Sequence, residues 1–155
     1  MTAQFYETII YKGEGTSMAT EPLEEYLKTR EDISFESYTT ACWRGYFGTW
    51  EIKQNKLYLI NLRAFVKMNE KVKEVGLDYL FPKRNEVFAN WFTGEIRLPQ
   101  GEMLGYVHGG YLSIFEEDLI LKIEKGIFTE ERLIDNRESF EKLKAEGKLD
   151  GDLPF

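Results

Sequence analysis

The chain is short of the residues that build most reaction centres. It has one cysteine, Cys42, and one histidine, His108, among 155 residues. A lone cysteine closes no internal disulfide and forms no thiolate metal cluster, and its use fits a reducing compartment. Metal binding would therefore fall to carboxylates. Neither "EED" at 116–118 nor "DGD" at 150–152 completes a calcium loop, so both are expected to be acidic turn residues and no metal is expected. Long apolar runs are missing too: nothing approaches the roughly 18 consecutive apolar residues of a membrane span. The start, "MTAQFYETIIYKGEG", has no basic segment followed by an apolar one, so no secretory signal is visible. Together these predict a cytoplasmic protein that does not engage a membrane. Basic charge is scarce and scattered. With 27 acidic against 20 basic side chains the formal charge is −7, and no basic stripe is present to hold a phosphate backbone, which argues against nucleic-acid binding. The glycine pairs "GEG" at 13–15 and "GG" at 109–110 have neither phosphate-cradling spacing. Ser17, Ser34, Ser37 and Ser113 sit in no nucleophile-elbow pattern. No cofactor is implied.

What the chain does have is apolar and aromatic material, 43% and 15% of its residues. A chain of this length, read as one domain over 1–155, can bury about 70% of its unfolded surface. "FYETIIYK" at 5–12 reads as a first strand, with "GEGTS" as the turn that ends it. "TEPLEEYLKTR" reads as a short helix capped by Thr20, with Leu23, Tyr26 and Leu27 on one face. The densest stretch is "TACWRGYFGTWEIKQNKLYLINL" at 40–62. A two-residue turn at Gln54-Asn55 pairs Ile52 with Leu57 and Trp50 with Leu59 on an oily face, while Thr49, Glu51 and Lys53 meet Ile60, Tyr58 and Lys56 on the other. Slipping by one residue would turn Trp50 outwards, so the pattern sets the register. "FVKMNEKVKEVG" has Met68, Val72 and Val75 at helical spacing, which predicts a second helix ended by Gly76. From 86 to 135 the chain reads as a run of strands with turns at "LPQG" and "EKG". A last helix over "NRESFEKLKAEG" is capped by Asp135 or Asn136, presents Phe140 and Leu143, and stops at Gly147. The expectation is an α+β fold: a mainly antiparallel sheet with two or three short flanking helices.

Two polar side chains stand out. His108, in "GYVHGGY", is a weak candidate general acid or base, to be oriented by Glu51, Glu95 or Asp118; the alternative is a strand histidine beside a bulge. No local signature makes Cys42 a nucleophile, and a buried core cysteine is expected. Arg44 falls on the face of Tyr46, Trp50 and Ile52 if the strand runs unbroken from Cys42. A buried guanidinium there requires a carboxylate or an anionic ligand, unless a bulge at Gly45 or Gly48 turns it outwards. Should a ligand pocket exist, Arg44, Trp43, Tyr46, Trp91 and His108 are its candidate residues.

"WRGYFGTWEI", "KLYLINL", "WFTGEIRLPQGEMLGYVHGGY" and "FEEDLILKIEKG" resemble a family of small bacterial proteins of unknown function, over about residues 36–134. The resemblance implies a bacterial source and carries no activity or catalytic residues. The expected function is a non-enzymatic, protein-binding module with an acidic surface, an immunity or inhibitor role against a basic toxin being one form of it. The alternative is a small enzyme or small-molecule-binding domain with a pocket around His108 and Arg44. The sequence leaves the oligomeric state open.

Overall fold

A computed structural model describes residues 5–37, 42–105, 111 and 113–146. Among these, nine strands and three helices form one mixed sheet with flanking helices. Strand β1 (Glu7–Tyr11) turns tightly into β2 (Glu14–Met18). The two turn residues, Lys12 and Gly13, both have positive φ, 53° and 81°, as a two-residue hairpin requires. "GEGTS" therefore does not end the first strand but forms the second: its small polar residues serve as a short edge strand rather than a loop. Helix α1 (Leu23–Leu27) follows. Thr20 does not cap it. Pro22 occupies that position without a side-chain cap, and the Thr20 hydroxyl instead accepts a hydrogen bond from the Arg97 backbone at 3.0 Å.

The aromatic stretch makes the hairpin of β3 (Tyr46–Lys53) and β4 (Lys56–Met68). Its turn is at Gln54 and Asn55, with φ of 50° and 62°. Trp50 pairs with Leu59 and Ile52 with Leu57, as the alternation demands. Thr49, however, meets Asn61 rather than Ile60, because a bulge between Thr49 and Trp50 shifts the register. The extra residue, Ile60, is on β4, so the alternation of β3 is unbroken and Tyr46, Gly48 and Trp50 are all buried on one face.

The predicted helix over 65–76 is a hairpin instead. The end of β4 pairs antiparallel with β5 (Lys71–Val75), Met68 opposite Lys71 and Ala64 opposite Val75. Asn69 and Glu70 take positive φ, 51° and 65°, which closes a two-residue turn. Met68 and Val72 are 36% and 59% exposed, so the apolar residues that suggested a helical stripe share no buried stripe. A four-residue helix α2 (Leu77–Leu80) and the two-residue strand β6 (Val87–Phe88) lead to β7 (Gly94–Gly105), β8 (Ile114–Glu124) and β9 (Ile127–Asp135). "LPQG" is not a turn between strands but lies inside β7. Pro99 is tolerated because β7 is an end strand, where a missing N–H breaks no ladder. Gly101, at φ 78°, sits where the β7–β8 register shifts. "EKG" does turn, with Glu124 opposite Ile127 across Lys125 and Gly126. Helix α3 (Arg137–Ala145) follows Asn136, whose amide bonds the Phe115 carbonyl and Asp118 rather than capping the helix.

The strand order is β2-β1-β3-β4-β9-β8-β7, with β5 and β6 on β4. β1 and β3 run parallel, with Ile9 opposite Trp50, and the other recorded pairings are antiparallel. The end strands of this order, β2 and β7, lie side by side, and just past β2 the Ala19 N–H donates to the Arg97 carbonyl at 2.8 Å. The sheet must therefore curl on itself. Its inner face buries Ile9, Trp50, Leu57, Leu59, Ile96, Leu98, Leu121 and Ile123, and Leu23 of α1 packs into the same core.

Candidate functional site

The buried polar centre of the molecule starts from strand parity. On β1, Glu7 and Ile9 point the same way. Ile9 belongs to the core, and Glu7 is only 1% exposed. Beside it lies Arg44, in the turn before β3. The two side chains are 0% and 3% exposed and form an ion pair at 2.9 Å. Glu7 is the better satisfied of the two. Its Oε2 accepts from Arg44 Nη2 at 2.9 Å, Arg44 Nε at 3.2 Å and the Gly48 backbone N–H at 2.8 Å; its Oε1 accepts from Trp50 Nε1 at 3.1 Å. Gly48 is required by this packing: a Cβ there would lie 2.6 Å from Glu7 Oε1 and 2.9 Å from Trp50 Nε1.

Burial pushes the Glu7 carboxyl up to about 7, against the opposing pull of the Arg44 charge, the Gly48 N–H and the Trp50 indole. Burial works most strongly against the Arg44 charge, but Glu7, Tyr111 and Cys42 together outweigh it and the guanidinium stays firmly protonated. Arg44 lies over the Tyr46 and Phe47 rings, 5.4 and 5.6 Å from their centroids, which returns part of the lost hydration. Its Nη1 is buried with no hydrogen-bond partner among the described residues; the Tyr111 hydroxyl is buried as well and lies close to the Glu21 carboxylate. The Tyr111 phenol is near enough to act on the Arg44 charge.

Of the residues singled out as ligand candidates, Arg44 and Tyr46 come together. Tyr46 is fully buried and donates to Glu24 of α1 at 2.9 Å, and burial raises the pKa of its phenol. Trp91 serves α1 from another side: its indole donates to the Pro22 carbonyl at 2.9 Å, and its ring packs on Tyr26 and Phe81. Trp43 is 45% exposed. His108 lies outside the described residues, as do "DGD" at 150–152 and Gly147. Among its suggested orienting carboxylates, Glu95 holds Arg132, Asp118 holds Arg97 and Asn136, and Glu51 is half-buried opposite Tyr58. Cys42 is buried, with its thiol 3.5 Å from the Tyr46 carbonyl. Glu116 and Asp118 of "EED" are taken up by the Glu102 N–H with Arg137 and by Arg97 with Asn136, respectively.

Glu7 is the partner that sequence reasoning left unnamed. The signal was present: a carboxylate on the same strand face as Ile9, and an arginine on the same face as Trp50, are two opposite charges directed into one core.

Several hollows lie elsewhere among the described residues, and two of them bear on function. One, of about 250 Å³, is walled by Arg97, Tyr111, Ile114, Asp118, Phe140 and Leu143, between β8 and α3. Arg97 already spends three of its five N–H donors on Asp118 at 2.9 Å and on the carbonyls of Tyr111 and Ser113. The other, of about 340 Å³, opens between β2 and β7. No helix among the described residues is long and apolar enough to cross a membrane. Compared with known proteins, the chain matches no family model, no curated protein and no solved structure.

Proposed function

We propose that the protein is a non-enzymatic binding module of the bacterial cytoplasm whose partner is another protein. The observation that carries this reading is an exposed aromatic group on the outer side of β3. Phe5 is 48% exposed and packs on Phe47, with ring centroids 5.9 Å apart. Arg63 of β4 lies over the Phe47 ring at 5.9 Å, and Trp43 stands 45% exposed in the turn before β3. Aromatic and arginine side chains are the ones interfaces enrich, and anchors of this kind carry most of their binding energy. The charge of −7 favours a basic partner, and an immunity or inhibitor role against a basic toxin is the form that fits it. The likeness to small bacterial proteins over residues 36–134 belongs with this reading.

Affinity capture from the native organism with the intact protein and with the Phe5→Ser and Trp43→Ser variants tests it. The expected result is a partner retained by the intact protein and lost by both variants, which stay folded because these side chains are outside the core. Recovery of no protein, together with co-purification of a small molecule, would overturn the reading.

The alternative, a small enzyme or ligand-binding domain around His108 and Arg44, draws on the Nη1 of Arg44, buried with no hydrogen-bond partner among the described residues. It predicts that His108→Ala abolishes binding of a small ligand and leaves the melting temperature unchanged.

A further inference from the structure

The seam of the curled sheet is closed at one end and open at the other. At Ala19 and Thr20 two hydrogen bonds tie the β2 side to Arg97 of β7. Among the described residues no ladder pairs β2 with β7, and where they part lies the 340 Å³ cleft. Most of its surface is polar, and Leu98 and Leu119 are the apolar part of its lining. Leu98, Leu119 and Leu133 are opposite one another on β7, β8 and β9, with Leu133 outside the lining. Leu98 is fully buried and Leu133 is 59% exposed, so this leucine row runs from the core out to solvent. One rung away on the same face is Glu131, opposite Leu121.

The rim of the cleft is charged, and the sign is negative. Glu14 and Glu131 face it with Lys12 as the one cation among its lining residues. Tyr11 donates to Glu131 Oε2 at 2.5 Å, and Lys12 reaches Oε1 at 3.3 Å. These two partners, the Tyr11 hydroxyl foremost, hold the Glu131 carboxyl below the usual range, so it is ionised at neutral pH. A carboxylate offers about four acceptor sites, so Glu131 has room for more donors. Lys12 is a replaceable partner: its side chain is 69% exposed, and exposed ion pairs of this kind hold weakly. Glu14 forms no ion pair among the described residues.

We propose that this cleft binds an organic ammonium, a primary amine on an apolar stem, with its charge between Glu131 and Glu14 and its stem along the leucine row. An anion would meet two carboxylates and one lysine already engaged. A neutral molecule would leave the excess negative charge uncompensated. An ammonium takes over the place of Lys12 on Glu131, and Lys12 swings into water. The same chemistry is offered by a free amine and by a lysine side chain of a partner protein.

Calorimetric and NMR titrations of the full chain at low salt, with n-hexylammonium, hexanoate and hexanol, test the proposal. Hexylammonium should bind at least about tenfold more tightly than the other two. Its shifts should map to Tyr11, Thr16, Leu98 and Leu119. Glu131→Gln should weaken it by about tenfold and Glu14→Gln by less, since charge-assisted contacts are lost. Lys12→Gln should tighten it, because a competitor is removed. An N-acetyl-Gly-Lys-Gly-amide arm separates the two sources: tighter binding of the peptide assigns the site to a partner's lysine, tighter binding of hexylammonium to a free amine. Hexanoate binding as well as hexylammonium, an unchanged affinity in Glu131→Gln, or neither cation binding would overturn the proposal. The aromatic group at Phe5 and Trp43 is not part of the cleft, so that outcome leaves the protein-binding reading standing.

Discussion

Replacing Arg44 with alanine strands Glu7 in the core. The carboxylate keeps the Gly48 N–H and the Trp50 indole but loses two charge-assisted hydrogen bonds and its counter-charge. Removing one member of a buried pair typically costs about 3–5 kcal/mol. For a chain of this size each kcal/mol moves the melting temperature by roughly 2–4 °C, so a fall of about 6–20 °C is expected. Acid should relieve part of the loss. Burial already holds the Glu7 carboxyl up at about 7, and without Arg44 it rises further, so mild acid lets Glu7 become neutral. Calorimetry at mildly alkaline and mildly acidic pH would show a larger deficit in the alkaline sample. The Glu7→Leu, Arg44→Met double variant should recover most of the loss, because an apolar pair of similar volume leaves no buried charge. If Arg44→Ala melts within about 2 °C of the parent at alkaline pH, the pair contributes little and the structural role assigned to Arg44 is wrong.

Three further outcomes follow from the same centre. The native carboxyl of Glu7 binds its proton more tightly than the unfolded one, whose ordinary value is 4.5; this contribution to stability is present in full below the unfolded value and is lost as pH rises through about 7. Urea unfolding across that window should show the loss, and Glu7→Gln should flatten it. Gly48→Ala forces a Cβ to within 2.6 Å of Glu7 Oε1 and should cost about 1–3 kcal/mol as overpacking, whereas Gly76→Ala, with its nearest neighbour at 3.6 Å, should change the urea midpoint little. Tyr46→Phe removes the hydroxyl that ties β3 to Glu24 of α1 and should cost about 1–2 kcal/mol, measurable by the same unfolding curves.

The parts of this fold legible in the sequence are those where one face is unambiguously apolar. Trp50, Ile52, Leu57 and Leu59 admit one register around Gln54-Asn55, and the alternation of Leu119, Leu121 and Ile123 likewise marks the inner face of β8. Residues 65–76 misled because Met68, Val72 and Val75 fall at helical spacing by chance. The deciding feature is the left-handed backbone at Asn69 and Glu70, which a helix cannot contain. "GEGTS" and "LPQG" misled for the opposite reason: turn-forming residues also suit short edge strands and bulges. Arg44 was legible as a problem needing a carboxylate. Its solution was not, because Glu7 is 37 residues away and the two meet through the parallel pairing of β1 with β3, a long-range contact with no local signature. The β2–β7 cleft is invisible in the sequence for the same reason, since its walls come from separate strands that only the curl of the sheet brings together.

The claim on which the account depends is that Glu7, Arg44 and Trp50 form a dry part of the core. Native-state hydrogen exchange at the Trp50 indole N–H tests it most directly. If the account is right, that proton exchanges only through global unfolding, with an opening free energy equal to the unfolding free energy from urea. Exchange within seconds under native conditions would show that water reaches the Glu7 carboxylate, and would make this centre an accessible site instead.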